Sequence, residues 1–177
     1  MTDKVQSGDE VPVSVSSSDQ VNLVESVSIE VYQSGGLVSC TRRLAALTTQ
    51  ASDPQDVTYL AIATILTAAA ALEAILSEFM FLSNPSGYTK VFCKKGVRDK
   101  YKIIKNSELI DDHPEVSELW AHRIAIGHSE PENERSRRYG TRISPEGALW
   151  ASETVEAFAR SLWGAAMPNW FRSDTSM

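Results

Sequence analysis

The segment from Asp53 to Leu82 constrains the fold more than any other. Asp53-Pro54-Gln55-Asp56 offers a capping carboxylate, a first-turn proline and an acid for the helix dipole, so a helix should begin there and run to about Leu82. Ile62, Ile65, Leu66, Leu72, Leu76, Phe79 and Met80 share one broad face of that helix, with Thr64, Thr67, Ala71 and Glu78 opposite. Thr64, Thr67 and Glu73 interrupt the run and no Lys or Arg flanks it, which argues for a core helix over a membrane span. A chain built around such a helix is expected to be an all-α bundle.

Three more helices can be read from their start and stop signals. Val97 to Asn106 places Val97, Tyr101 and Ile104 on one side and Arg98, Lys102 and Lys105 on another. Pro114 to Gly127 has Asp112 as a cap, Glu115 and Glu118 near its start, and Gly127 with Pro131 at its end. Pro145 to Trp163 opens on Ser144-Pro145-Glu146; Ala151, Val155, Phe158, Ala159 and Leu162 form its core face, and Trp150, Thr154 and Ala157 lie on the other side. Trp150 is expected either to mark a partner surface or to lie beneath the arginine-rich loop before it.

Residues 1–50 read as a leader. Met1 to about Asp19 is polar and serine-rich, Val27, Ile29 and Val31 alternate with polar residues in the manner of a strand, and Ser34-Gly35-Gly36 suggests a turn, so a short hairpin or edge strand is expected. Residues 51–177 then form the helical domain. No basic and apolar secretory signal is visible, and a cytoplasmic location is the expectation. Cys40 and Cys93 stand far apart without paired spacing and are expected to be small buried residues.

The formal net charge of −6 disfavours a protein that coats nucleic acid generally, yet the charge is unevenly distributed. Acids predominate from Met1 to Asp56. Lys90, Lys94, Lys95, Arg98, Lys100, Lys102 and Lys105 crowd the centre against Asp99 alone. The basic face of the 97–106 helix is either a solvated surface or a guide for phosphates.

The candidate chemistry lies in Leu119-Trp120-Ala121-His122-Arg123-Ile124-Ala125-Ile126-Gly127-His128. Val116, Leu119, Trp120, Ile124, Ile126 and Gly127 form an apolar stripe on a helical wheel, and Arg123 falls inside it. An unpaired interior guanidinium costs several kcal/mol, so Arg123 must meet a carboxylate, line a cleft or face a partner chain. Glu73 is either the carboxylate that meets Arg123, if the two helices pack together, or a boundary glutamate that reaches solvent. Five helical steps put Arg123 and His128 roughly 140° apart, which suits two walls of one cleft, and Gly127 leaves space beside the arginine. The loop that follows carries Arg135, Arg137, Arg138, Tyr139 and Arg142, suited to an RNA backbone with one stacked base; Glu130, Glu132 and Glu134 offer those arginines local ion pairs instead.

The Arg123-x4-His128 spacing on the penultimate helix of a bundle resembles the motif of the HEPN superfamily. That resemblance implies a helical domain whose Arg and His meet in a cleft between two protomers and cleave RNA without a metal, within a toxin–antitoxin or antiviral defence system. It further implies a homodimer, an RNA substrate with a 2′,3′-cyclic phosphate product, and a neutralising antitoxin or defence-system partner protein. Arg123 and His128 would be catalytic and His122 would supply a neighbouring polar group. The chain departs from common family patterns at Ile124, where a polar residue often follows the arginine, and at Glu130, where one subtype has tyrosine. The competing reading is a non-catalytic module for dimerisation or partner binding, with Arg123 a paired core residue and His128 a helix-end histidine. No cofactor fingerprint occurs, and His122, His128 and Glu130 are spaced poorly for a metal, so neither cofactor nor metal is expected.

Overall fold

The computed structural model describes residues 33–107, 109–127 and 142–163, all within the unit Val31–Met177. Among the described residues there are six helices and no strand: α1 (Gln33–Gln50), α2 (Pro54–Ser83), α3 (Lys90–Cys93), α4 (Val97–Asn106), α5 (Pro114–Gly127) and α6 (Pro145–Trp163). The all-α expectation holds, and the four expected helices lie where their signals put them. The leader does not hold as drawn, because Ser34-Gly35-Gly36 is the first turn of α1 rather than a hairpin turn. Val27, Ile29 and Val31 fall outside the described residues.

Helix α1 has an apolar pattern too weak to read. Apart from Gly35, its buried positions, Ser34, Val38, Thr41, Ala45 and Thr48, recur at steps of four and three, the spacing of a helix seam, but most are small or hydroxylated. Thr41 Oγ1 donates to the Leu37 carbonyl (2.8 Å) and Thr48 Oγ1 to the Leu44 carbonyl (2.7 Å), so both hydroxyls can be buried without an orphaned donor. Only residues 51–53 separate α1 from α2, and such a short link makes the two helices antiparallel neighbours.

Helix α2 is the axis of the bundle and packs against α1, α4, α5 and α6. Asp53 caps it by accepting from the backbone N–H of Gln55 (2.7 Å) and Asp56 (3.3 Å). Because neighbours cover several sides, burial does not follow the expected two-faced division: Thr64, Ala71 and Glu78 are buried, whereas Leu66 is exposed. By length and composition α2 could cross a membrane, but half of its most apolar window is buried by the rest of the protein.

Glu78 belongs to the α1–α2 seam. Its carboxylate accepts from the Ser34 backbone N–H (2.9 Å) and from the Ser34 hydroxyl, fastening the first turn of α1 to the end of α2. Burial raises its pKa to about 7, against the opposing effect of those hydrogen bonds. At the other end of the seam Ala45, Ala61 and Ala148 pack together, and Arg42 of α1 pairs with Glu156 of α6 at 3.0 Å.

The main core joins α2 residues such as Leu72, Ile75 and Leu76 to Ile104, Leu119, Val155 and Phe158. Cys40 and Cys93 are free thiols and both are exposed, contrary to the expectation that they would be buried. Each lies on the solvent side of its helix.

Candidate functional site

Helices α4 and α5 position the site. Helix α4 presents Val97, Tyr101 and Ile104 to the core, as its period requires, and adds Lys100 to them. Lys100 is 3% exposed; its Nζ lies 2.9 Å from Glu73 Oε1, 3.2 Å from Ser77 Oγ and over the Phe92 ring. This charge is tolerated because carboxylate, hydroxyl and aromatic face surround it. The central basic cluster therefore divides: Lys100 is structural, whereas Arg98 and Lys102 are exposed.

The link between α4 and α5 is held by hydrogen bonds. Tyr101 Oη accepts from the His113 N–H (2.6 Å) and lies 3.2 Å from Asp112 Oδ1, and Lys105 Nζ is 2.8 Å from the same carboxylate oxygen. Burial raises the Tyr101 pKa, and the hydrogen bond from Lys105 lowers that of Asp112. Asp112, expected as a cap for α5, is thus occupied in joining it to α4.

On α5 the buried side chains are Val116, Leu119 and His122. Trp120, Ile124 and Ile126 are half-buried, and Arg123 is exposed. Arg123 is therefore not a core arginine. It does not meet Glu73, which holds Lys100, and forms no ion pair with any described carboxylate; its guanidinium carbon lies over the Trp120 ring, 4.8 Å from the centroid. Cation–π stacking fixes the group while leaving its N–H donors free.

Beside this stack a groove of about 250 Å³ runs between α4 and α5. Val97, Tyr101 and Val116 form its floor, Trp120 and Ile124 contribute to its walls, and Arg98 and Ser117 are its exposed polar lining. Arg98 also forms no ion pair with a described carboxylate. Arg98, expected on the basic face of α4, lies three positions before Tyr101 on the groove side of that helix, whereas Ser117 did not stand out in the sequence.

The other expected residues are placed elsewhere. His122 is 1% exposed and meets Trp150 edge-on, with ring centroids 5.3 Å apart, and its Nε2 lies 3.9 Å from Glu118 Oε1. One step along the helix turns it inward while Arg123 faces outward, so His122 does not share the arginine's surroundings. Arg142 binds Glu118 at 2.8 Å and stacks on Trp150 at 4.3 Å, which puts Trp150 beneath the last of the arginines that precede α6. Gly147 makes that arrangement possible, because a Cβ there would collide with the Arg142 carbonyl. His128, Arg135, Arg137 and Arg138 lie outside the described residues. Among the described residues no cluster of His, Cys, Asp or Glu could hold a metal ion.

No family model, curated protein or solved structure matches this chain.

Proposed function

We propose that this chain is a HEPN-type endoribonuclease that works as a cytoplasmic homodimer in a toxin–antitoxin or antiviral defence system. The observation that carries the proposal is Arg123, exposed, set over the Trp120 ring and paired with no described carboxylate beside an open groove. A permanent cation set over an indole and left unneutralised by described carboxylates suits the phosphorus oxygens of a transition state better than it suits fold stability. His128 follows α5 closely and has the intrinsic pKa for proton transfer near neutrality.

In this reaction His128 of one protomer takes the ribose 2′-hydroxyl proton, and the 2′-oxygen attacks the adjacent phosphorus. The bond from phosphorus to the 5′-oxygen breaks, and that oxygen leaves with a proton from the second protomer's His128, giving a 2′,3′-cyclic phosphate and a 5′-hydroxyl. The two Arg123 guanidinium groups stabilise the charge on the phosphorus oxygens. Arg135, Arg137 and Arg138 contact the RNA backbone, and Arg142 is committed to Glu118 and Trp150.

Expression toxicity relieved by Arg123→Ala and by His128→Ala, with cyclic-phosphate ends on the cleaved RNA, tests the proposal. A wild-type dimer that cuts no RNA, alone or with the protein encoded next to it, would favour the second reading, a partner-binding module. The apolar floor of the groove is the observation on its side.

A further inference from the structure

We infer that the α4–α5 groove is a nucleobase pocket that receives one unpaired base of single-stranded RNA while Arg98 and Arg123 meet its flanking phosphates. The inference rests on the ribonuclease reading and adds to it the kind of RNA that the protein engages.

Size is the first reason. At about 250 Å³ the groove falls below the ~300–1,000 Å³ typical of pockets for drug-sized ligands, and it suits a single planar group. Its lining is the second. Val97, Tyr101 and Val116 are almost wholly buried and give an apolar floor, and Trp120 adds an aromatic wall already stacked with the Arg123 guanidinium. A base entering beside Trp120 extends a stack of guanidinium and indole, and every base has a π-face to offer. The Tyr101 hydroxyl is used by His113 and Asp112, so Ser117 is the lining hydroxyl that remains to meet a base edge.

Charge is the third reason. Arg98 on α4 and Arg123 on α5 are exposed and unpaired with described carboxylates, and Lys102 lies one turn beyond Arg98. Of the described carboxylates on and between these helices, Asp112 is held by Lys105 and Glu118 by Arg142, leaving Asp99, Asp111 and Glu115 in the open. A cationic margin around an aromatic slot fits a nucleotide, in which base and phosphate are joined. A short helical duplex does not fit, because its bases are stacked on one another and closed to the slot.

The test uses the full-length protein and a fluorescent 2′-O-methyl RNA oligonucleotide, which cannot be cut, in anisotropy titrations. Ser117→Leu and Ala121→Leu fill the groove without removing a cation. Each is expected to weaken binding at least tenfold, within the range that loss of one stacked base produces, and to leave the salt dependence unchanged. Arg98→Ala is expected to lower the salt slope by about one phosphate contact. An oligonucleotide with abasic sites should bind like the wild-type oligonucleotide does to the filled variants, and a duplex of the same sequence more weakly than the single strand. Ser117 is exposed, so Ser117→Leu keeps its fold even if Ala121→Leu does not, and a melting curve checks both. Wild-type protein that binds RNA equally well with a filled groove or an abasic strand would overturn the pocket and leave the ribonuclease reading standing. Wild-type protein that binds no RNA would overturn both. A Glu- and Leu-rich peptide that binds where RNA does not, and is displaced by Ser117→Leu, would assign the groove to a protein partner instead.

Discussion

The α1–α2 seam and the α4–α5 groove dispose of their polar groups in opposite ways. In the seam every buried polar side chain is matched within the fold: the threonine hydroxyls return to their own helices and Glu78 holds Ser34 twice. At the groove two guanidinium groups stand in solvent, one of them fixed on an indole, beside apolar surface that no helix covers. Polar groups that serve stability are consumed by one another, because leaving them unmatched inside costs about 1–3 kcal/mol each. Groups left available and yet held in place point to a ligand.

Substitutions can break each side of this contrast, and they differ in expected size. Gly147→Ala forces a methyl group into the Arg142 backbone, where no flexible side chain can give way, and should destabilise the protein by about 3 kcal/mol in chemical denaturation. It should also release Arg142 from Glu118.

Glu78 makes the seam sensitive to pH. Its folded pKa of about 7 lies above its ordinary value of 4.5, so between these values the folded chain holds a proton that the unfolded chain has released. The Glu78 contribution is therefore complete below about pH 4.5 and is lost as pH rises through 7. Relative to Glu78→Gln, the wild type should lose up to about 3 kcal/mol between pH 4.5 and pH 8. Parallel stability–pH curves for the two proteins would show that Glu78 does not titrate across this window.

Removing Glu73 leaves the buried Lys100 without its carboxylate. Because Glu73 is itself half-exposed, Glu73→Ala should cost only about 1–2 kcal/mol, well under the figure for a fully buried pair. The smallest effect belongs to the site: Arg123→Ala should change folding stability by no more than about 0.5 kcal/mol, since only an exposed stack is lost. A large loss there would mean that Arg123 serves the fold after all.

How far the sequence could be read follows from the kinds of signal it carries. Four helices announce themselves because Asp53-Pro54, Pro114 and Ser144-Pro145 mark starts, and Val97, Tyr101 and Ile104 repeat with helical period. Helix α1 has no such marker; its seam is made of Ser, Thr and Ala, whose burial depends on close approach to α2 and not on hydrophobicity. At the site, Arg123 was legible as an arginine needing an explanation, but the wheel placed it among apolar residues, whereas α5 turns Leu119 and His122 inward and leaves Arg123 on the rim. Lys100 and Glu73 could not be paired from sequence, because their contact joins residues 27 apart on different helices. The groove likewise exists only once α4 and α5 lie side by side.

The most direct test of the central claim is a single-turnover cleavage assay on single-stranded RNA with purified wild-type protein and Arg123→Ala, both checked for dimer formation and for equal melting temperature. The wild type is expected to produce 2′,3′-cyclic phosphate ends, and Arg123→Ala to lose at least a hundredfold in rate with its fold and dimer intact. Equal cleavage by the two proteins, or a wild-type dimer that leaves RNA uncut, would contradict it.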